Sequence, residues 1–219
     1  MSEFIVHSVP GSPFGRAALA TLEEKRTPYR FSVVPAGTWR TEPHISRHPF
    51  GRVPVLEHDG FMLYETQAIL RYLDRVLPTP PLTPADPRVA ANMDRAMNVS
   101  DWYLFNGVNN VIGFQRIVAP RLMGVAPDEA AIAAAMPKAH TVFSELARLL
   151  GAQPYFTGES VTLADLMIAP QLDFLALTPE WTELSARHQN LVDWLARMNE
   201  RPSFKATTWE RLAEMAKAA

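Results

Sequence analysis

The sequence predicts an α/β domain built on a mixed sheet, followed by an all-α domain, and three observations predict it. Short apolar and β-branched runs alternate with helical spacing through the first third of the chain. A run of prolines then interrupts the pattern, and beyond it strand-like alternation is rare while three-and-four apolar spacing dominates.

Taken in order, EFIVHSV over residues 3–9 reads as a strand, and Pro10-Gly11-Ser12-Pro13 breaks it before a helix-like stretch from Gly15 to Lys25. Tyr29 to Val34 reads as a second strand and is followed by a polar, irregular segment. Val53, Val55 and Leu56 have the character of a buried strand, His58-Asp59-Gly60 that of a hairpin turn, and Phe61 to Leu63 resume the apolar run. In Glu65 to Leu77, the residues Ala68, Ile69, Tyr72, Leu73 and Val76 share one helical face. The order is βαβ, an irregular stretch, then ββα. Pro54 sits uneasily in it, because proline has no N–H for a ladder and belongs at a strand edge, start or bulge, or in a cis bond.

Residues 1–78 form the first expected domain, and residues 79–87 a proline-rich connector containing Pro80, Pro81, Pro84 and Pro87. Residues 88–219 form the expected helical domain. Within that domain Thr162-Leu163-Ala164-Asp165 reads as a helix start with an acidic partner at its third position, and Val161 and Leu166 are placed as a staple. The alanine-rich Glu129 to Ala139 reads as helix interrupted at Pro137.

With 21 basic and 23 acidic residues the formal charge is -2, so no global attraction to nucleic acid or an anionic membrane is expected. The N-terminus MSEFIVHS has no basic region leading into a long apolar run, and a soluble, cytoplasmic protein is expected. The chain contains no cysteine, which removes disulfides, cysteine-ligated zinc and a protein thiol nucleophile. His44 and His48 have helical spacing, but Arg47 lies between them and Pro49 follows, so a polar loop is expected there and no metal.

Five landmarks resemble the soluble glutathione S-transferase family: Ser12-Pro13-Phe14, HPFGRVPVL from His48 to Leu56, Glu65-Thr66, YFTGESVTLADL from Tyr155 to Leu166, and Trp194, Arg197 and Arg201-Pro202-Ser203-Phe204. They occur in the family's order across most of the chain. The resemblance is to serine-type members of tau-, phi- or theta-like character, in a bacterial-looking sequence. It implies a thioredoxin-like N-terminal domain, a helical C-terminal domain, glutathione as co-substrate without a metal, a homodimer and a role in detoxification.

The resemblance also implies a site. Ser12, placed as the active serine of serine-type members, would donate a hydrogen bond to the glutathione thiolate, with Ser8 as the competing hydroxyl. A thiol of pKa near 8.5 is mostly protonated at pH 7, and lowering that value by about two units needs about 2.7 kcal/mol of preferential stabilisation of the anion. Val53, turned by a cis bond to Pro54, would pair with the cysteinyl backbone like an added strand. Glu65 would take the γ-glutamyl ammonium, and Thr66 with the following helix start the γ-glutamyl carboxylate; the family has serine more often at that second position. Arg40 and Arg52, ahead of Arg16, are candidates for the glycine carboxylate.

A small apolar electrophile would be held between the domains by Phe14, Trp102, Phe105, Phe114 and Gln115, with Tyr103 and Asp101 nearby. The reading is glutathione conjugation. Peroxide reduction, isomerisation and dehalogenation remain open to the same thiolate, as does a non-catalytic binding or assembly role on the same fold.

Overall fold

All of Phe4–Ser8 is buried and forms β1, an interior strand of a sheet ordered β2-β1-β3-β4. The computed structural model describes residues 3–218 and groups them into two units. One comprises the chain up to Leu82 together with the segment from Asn199 onward, the other Thr83–Met198. In the first unit β2, Tyr29–Val33, pairs parallel with β1, while β3, Val55–His58, pairs antiparallel with it. Strand β4, Phe61–Tyr64, returns antiparallel to β3 through a turn with both Asp59 and Gly60 at positive φ, as a tight hairpin demands. Strand β3 begins at Val55, so Pro54 stands just before the ladder and removes no bond from it; the Val53–Pro54 bond is cis.

Helix α1, Pro13–Glu24, starts with proline in its first turn and Ser12 as its cap. It buries Ala18, Leu19 and Leu22 against Phe4, Val6, Phe31 and Leu56 of the sheet, and Ile69 and Leu73 of α3 join the same core. A fully buried leucine contributes about 1.5–3 kcal/mol, so this face fixes the packing of the two helices. The one-turn α2 is His44–Arg47, and α3 is Thr66–Val76. The βαβ–ββα order with a mixed four-stranded sheet makes this unit thioredoxin-like. His44 and His48 depart from the expected polar loop: both are buried, His44 Nε2 lies 2.7 Å from the Arg52 carbonyl oxygen, and the His48 ring lies 4.8 Å from that of Tyr64.

The proline-rich connector is fastened at its start. Buried Lys25 donates at 2.5 Å both to Asp74 Oδ1 and to the Pro80 carbonyl, and the same carboxylate oxygen accepts Leu82 N–H at 2.9 Å.

The second unit is helical. Asp86 caps α4, Pro87–Val99, through the N–H groups of Arg88 and Val89. Ser100–Met123 follows as a wide, π-type helical segment broken at Asn106 and Gly107, where φ turns positive at the glycine. Helix α5, Glu129–Leu150, is capped by Asp128 and runs on through Pro137 instead of stopping there. Proline inside a helix costs about 3 kcal/mol, but Ile132, Ala135, Ala139, Val142, Phe143 and Leu146 bury one stripe on both sides of it, and that burial outweighs the lost bond.

Helix α6, Leu163–Leu175, has every side chain from Leu163 to Leu172 buried. Its anchor is Asp165: Oδ2 accepts Thr162 N–H at 2.9 Å and the Thr162 hydroxyl at 3.0 Å, while Oδ1 accepts Phe156 N–H and Trp194 Nε1–H, each at 2.9 Å. Burial pushes this carboxyl up, and those four bonds pull it back. Helices α7, Glu180–Ser185, and α8, Gln189–Asn199, complete the unit.

The chain then returns to the sheet-bearing unit as α9, Pro202–Ala206, and α10, Trp209–Ala218, where Leu212 joins the sheet core. The sequence places this segment in the helical domain; contact groups it with the sheet.

Candidate functional site

The register of the sheet assembles the site. His7, Val55 and Tyr64 form one row across β1, β3 and β4. Continuing β1 past that row leads to Ser8 and the turn before Ser12; going back from β3 leads to Pro54 and Val53; going on from β4 leads to Glu65 and Thr66. Because β2 runs parallel to β1, the loop from Val34 to Arg52, with Trp39 and Arg40, leaves by the same end. The N-termini of α1 and α3 both begin there, each a positive dipole end.

Ser12 closes a turn from Val9, its N–H donating to the Val9 carbonyl at 3.2 Å across Pro10 and Gly11. Gly11 has φ +84, the conformation that makes glycine the natural third residue of a proline-glycine turn. The Ser12 Oγ accepts Gly15 N–H at 3.1 Å. Its own hydrogen is therefore available to an acceptor outside the helix. Ser8 differs. Its hydroxyl is buried without a hydrogen-bond partner and lies under the first turn, where a Cβ on Gly15 would stand 2.1 Å from the Oγ.

Val53 is half-buried, and among the described residues neither its N–H nor its carbonyl takes part in a backbone hydrogen bond. Glu65 is exposed and has φ +70 and ψ 112, a conformation that costs a non-glycine residue of order 1–3 kcal/mol. Thr66, buried, is the first residue of α3. That strained residue stands at the junction of β4 and α3, with its side chain exposed.

Arg40 and Arg52 are exposed. Gly51, at φ +59, lets the two ends of their loop approach, since a Cβ there would meet the Arg40 side chain at 2.8 Å and the Trp39 carbonyl at 2.9 Å. Sequence reasoning passed over Trp39, whose indole N–H is buried and has no protein partner. An aromatic residue beside a candidate anion-binding arginine is the signal that could have raised it. Arg16 is drawn elsewhere: its Nη2 donates to the Phe204 carbonyl at 3.2 Å and its guanidinium carbon lies 4.9 Å from the Phe204 ring centroid.

Two imidazoles near this end, His7 and His48, are held below the ordinary histidine value. Burial pushes His7 down, with Arg47 in the same sense, against the hydrogen bond to Glu57 at 3.0 Å. Burial, then the neighbouring His44, pushes His48 down as well.

The residues expected to hold an electrophile divide between the units. Phe14 is in the first turn of α1, whereas Trp102 and Phe105 precede the break in the π-type segment and Phe114 and Gln115 follow it. Trp102 is 66% exposed, and the Gln115 side-chain oxygen accepts Asp128 N–H at 3.0 Å, which ties it to the cap of α5. Among the described residues no cluster of side chains has the makeup of a metal site, and no helix is long and apolar enough to cross a membrane.

The glutathione S-transferase N-terminal domain family matches residues 11–76, and the C-terminal domain family matches residues 129–197. A glutathione S-transferase of Hyoscyamus muticus is 31% identical over 205 residues, covering 91% of this chain and 94% of that protein. FtsZ-localized protein A of Caulobacter vibrioides is 28% identical over 225 residues, covering 99% of this chain and 96% of that one. Among solved structures, glutathione transferase F7 of Populus trichocarpa superposes with a TM-score of 0.84 at 26% identity, over 97% of this chain and 99% of its own. On the matched domains, the fold and the extent of these alignments, the chain belongs to the glutathione S-transferase family.

Proposed function

We propose that this chain is a glutathione transferase that binds the tripeptide along the end of its sheet, holds the thiolate at Ser12 and adds it to a small apolar electrophile. The observation that carries this reading is the convergence of Ser12, Val53 and Glu65-Thr66 on one end of three adjacent strands. Glutathione offers an ammonium and a carboxylate at one end, a cysteinyl backbone with its thiol in the middle and a carboxylate at the other.

Glu65 takes the ammonium, and the Thr66 hydroxyl with the α3 N-terminus takes the γ-glutamyl carboxylate. Val53, whose backbone groups are unpaired, receives the cysteinyl unit as an added strand, next to Pro54. Arg40, Arg52 and the Trp39 N–H lie in the loop suited to the glycine carboxylate.

The Ser12 hydroxyl donates to the thiolate, and the N-terminal field of α1 adds to it. In the reaction the sulfur lone pair forms the new S–C bond. The electron pair it displaces leaves with a halide, or is protonated from water when the electrophile is an activated alkene. Positioning and thiolate stabilisation supply the rate, and Ser12 is never itself the nucleophile. Phe14, Trp102, Phe105, Phe114 and Gln115 are the candidates for the electrophile's surroundings.

The exposed Phe50, Phe61 and Met62 on the first unit support a homodimer, which sedimentation tests directly. Detoxification in the cytoplasm is the physiological setting we propose. A second reading, a non-catalytic assembly role, is favoured by the similarity to FtsZ-localized protein A.

Calorimetry with millimolar glutathione separates the classes: no binding removes the enzyme readings. A panel of aryl halides, activated alkenes, organic hydroperoxides and isomerisable or reducible substrates then distinguishes conjugation from the other glutathione-dependent reactions.

A further inference from the structure

Three contacts fasten the C-terminal segment along α1, from its last turn to the turn before its first. Glu24 accepts Arg201 Nε and Nη2 at 2.7 and 2.8 Å and the Ser203 hydroxyl at 2.5 Å. In the first turn Arg16 is held on the ring and carbonyl of Phe204. Beyond it the indole of Trp209 covers Gly11: a Cβ built on that glycine would lie 2.7 Å from Trp209 Cε2 and 2.8 Å from Cδ2 and Cζ2. Three ring atoms at nearly equal distance mean that the face of the indole, not its edge, meets the backbone.

Gly11 is thus required twice, for its φ of +84 and for this approach. It is also the residue immediately before Ser12, inside the turn closed by the Ser12 N–H to the Val9 carbonyl. Anchoring the tail does not need this contact. Leu212 of α10 is in the sheet core at 1% exposure, and Arg201 and Ser203 hold the other end. What the indole adds is a rigid wall against a turn that has no side chain of its own at Gly11.

We infer that Trp209 is a positioning residue: by covering Gly11 it holds the Pro10–Gly11 turn in one geometry and so sets the direction in which the Ser12 hydroxyl donates. The inference rests on the reading of Ser12 as the thiolate's donor. Hydrogen bonds weaken steeply as their angle opens, so a turn free to rock loses part of that donation without losing the bound tripeptide, whose two ends are held by Glu65, Thr66 and the arginine loop.

The test uses the full chain with Trp209→Ala, Trp209→Phe and, as a control that loosens the tail at the far end of α1, Arg201→Ala. The thiolate of bound glutathione is followed by ultraviolet absorbance against pH, together with the pH profile of kcat/KM, the glutathione Kd and the melting temperature. Trp209→Ala is expected to raise the apparent thiol pKa by about one unit, which from a bound value of about 6.5 is about a threefold loss of thiolate at pH 7, with the Kd raised by no more than about the same factor. Trp209→Phe restores most of the thiolate, and Arg201→Ala lowers the melting temperature but leaves the profile in place.

A folded Trp209→Ala that titrates like the parent overturns the inference. If that variant does not fold, Trp209→Leu, which keeps bulk without a flat face, is read by the same outcomes. Ser12→Ala separates the two claims: an unmoved pKa there removes the Ser12 reading itself, whereas a raised pKa there with an unmoved one in the Trp209 variants removes only the positioning role.

Discussion

The Ser12 hydroxyl accepts Gly15 N–H at 3.1 Å and so caps α1 with its oxygen. A hydroxyl that accepts from the helix keeps its own hydrogen for a second partner, which we assign to the glutathione thiolate. Ser12→Ala is therefore expected to lose both functions. Stability falls by about 1 kcal/mol from the lost cap, and the pKa of the bound thiol rises by up to about two units, from about 6.5 to about 8.5, lowering kcat/KM at neutral pH by up to about 25-fold. Ser8→Ala, at a buried hydroxyl without a partner, leaves the thiol titration unchanged. Parallel pH profiles of the two variants check the assignment.

Glu65 trades stability for placement. At φ +70 it occupies a region that glycine enters without cost, so Glu65→Gly is expected to raise the stability of the fold by about 1 kcal/mol in denaturant titrations. Because we assign this carboxylate to the glutathione ammonium, the same variant is expected to raise the glutathione Kd by about tenfold or more. A variant that loses stability and keeps its affinity reverses both halves of this argument.

Glu24 makes the tail sensitive to acid. Burial acts to raise this carboxyl, but the hydrogen bonds from Arg201 and Ser203 outweigh it and hold it below the ordinary carboxylate value. A carboxylate depressed on folding adds stability that is fully present above its unfolded pKa, near 4.3, and is lost as pH falls through the lower folded value. Amides of α9 and α10 should thus exchange at their neutral-pH protection through pH 5 and open below about pH 4, after correction for intrinsic rates. In Glu24→Gln they should already be less protected at pH 7 and show a weaker further change on acidification.

Asp165 has the largest expected cost in the helical unit. Removing its carboxylate strands Trp194 Nε1–H and the N–H groups of Phe156 and Thr162 in a buried setting, so Asp165→Ala should destabilise by about 3 kcal/mol or more. Equilibrium unfolding measures this, while the glutathione Kd of the folded fraction stays that of the parent.

Much of this molecule is legible in one dimension because the information is local. The apolar run of β1, the proline-glycine break, the helix after Glu65 and the Thr162–Asp165 start each depend on neighbours a few residues away, and each stands where periodicity and capping chemistry place it, although the helix after Glu65 buries Ile69, Leu70 and Leu73 and leaves Ala68 and Val76 of the expected face exposed. The residue types of the candidate site, a serine before a proline-led helix and an acid with a hydroxyl opening another, are legible for the same reason.

Other features depend on groups distant in sequence, and only the fold decides them. Pro137 lies inside α5 because burial on both sides of it outweighs a local break. His44 and His48 are buried, against their polar surroundings in sequence: the His48 ring packs on Tyr64 of β4 at 4.8 Å, and His44 bonds the Arg52 carbonyl eight residues on. The choice between Ser8 and Ser12 turns on which hydroxyl the first turn of α1 covers, and the place of Trp209 on Gly11 joins positions nearly the whole chain apart. Sequence by itself determined which groups the protein has for an anion and a thiol. Tertiary structure decided which are exposed, which already have partners and which face the same end of the sheet, because burial and register are properties of the packed chain and not of any window along it.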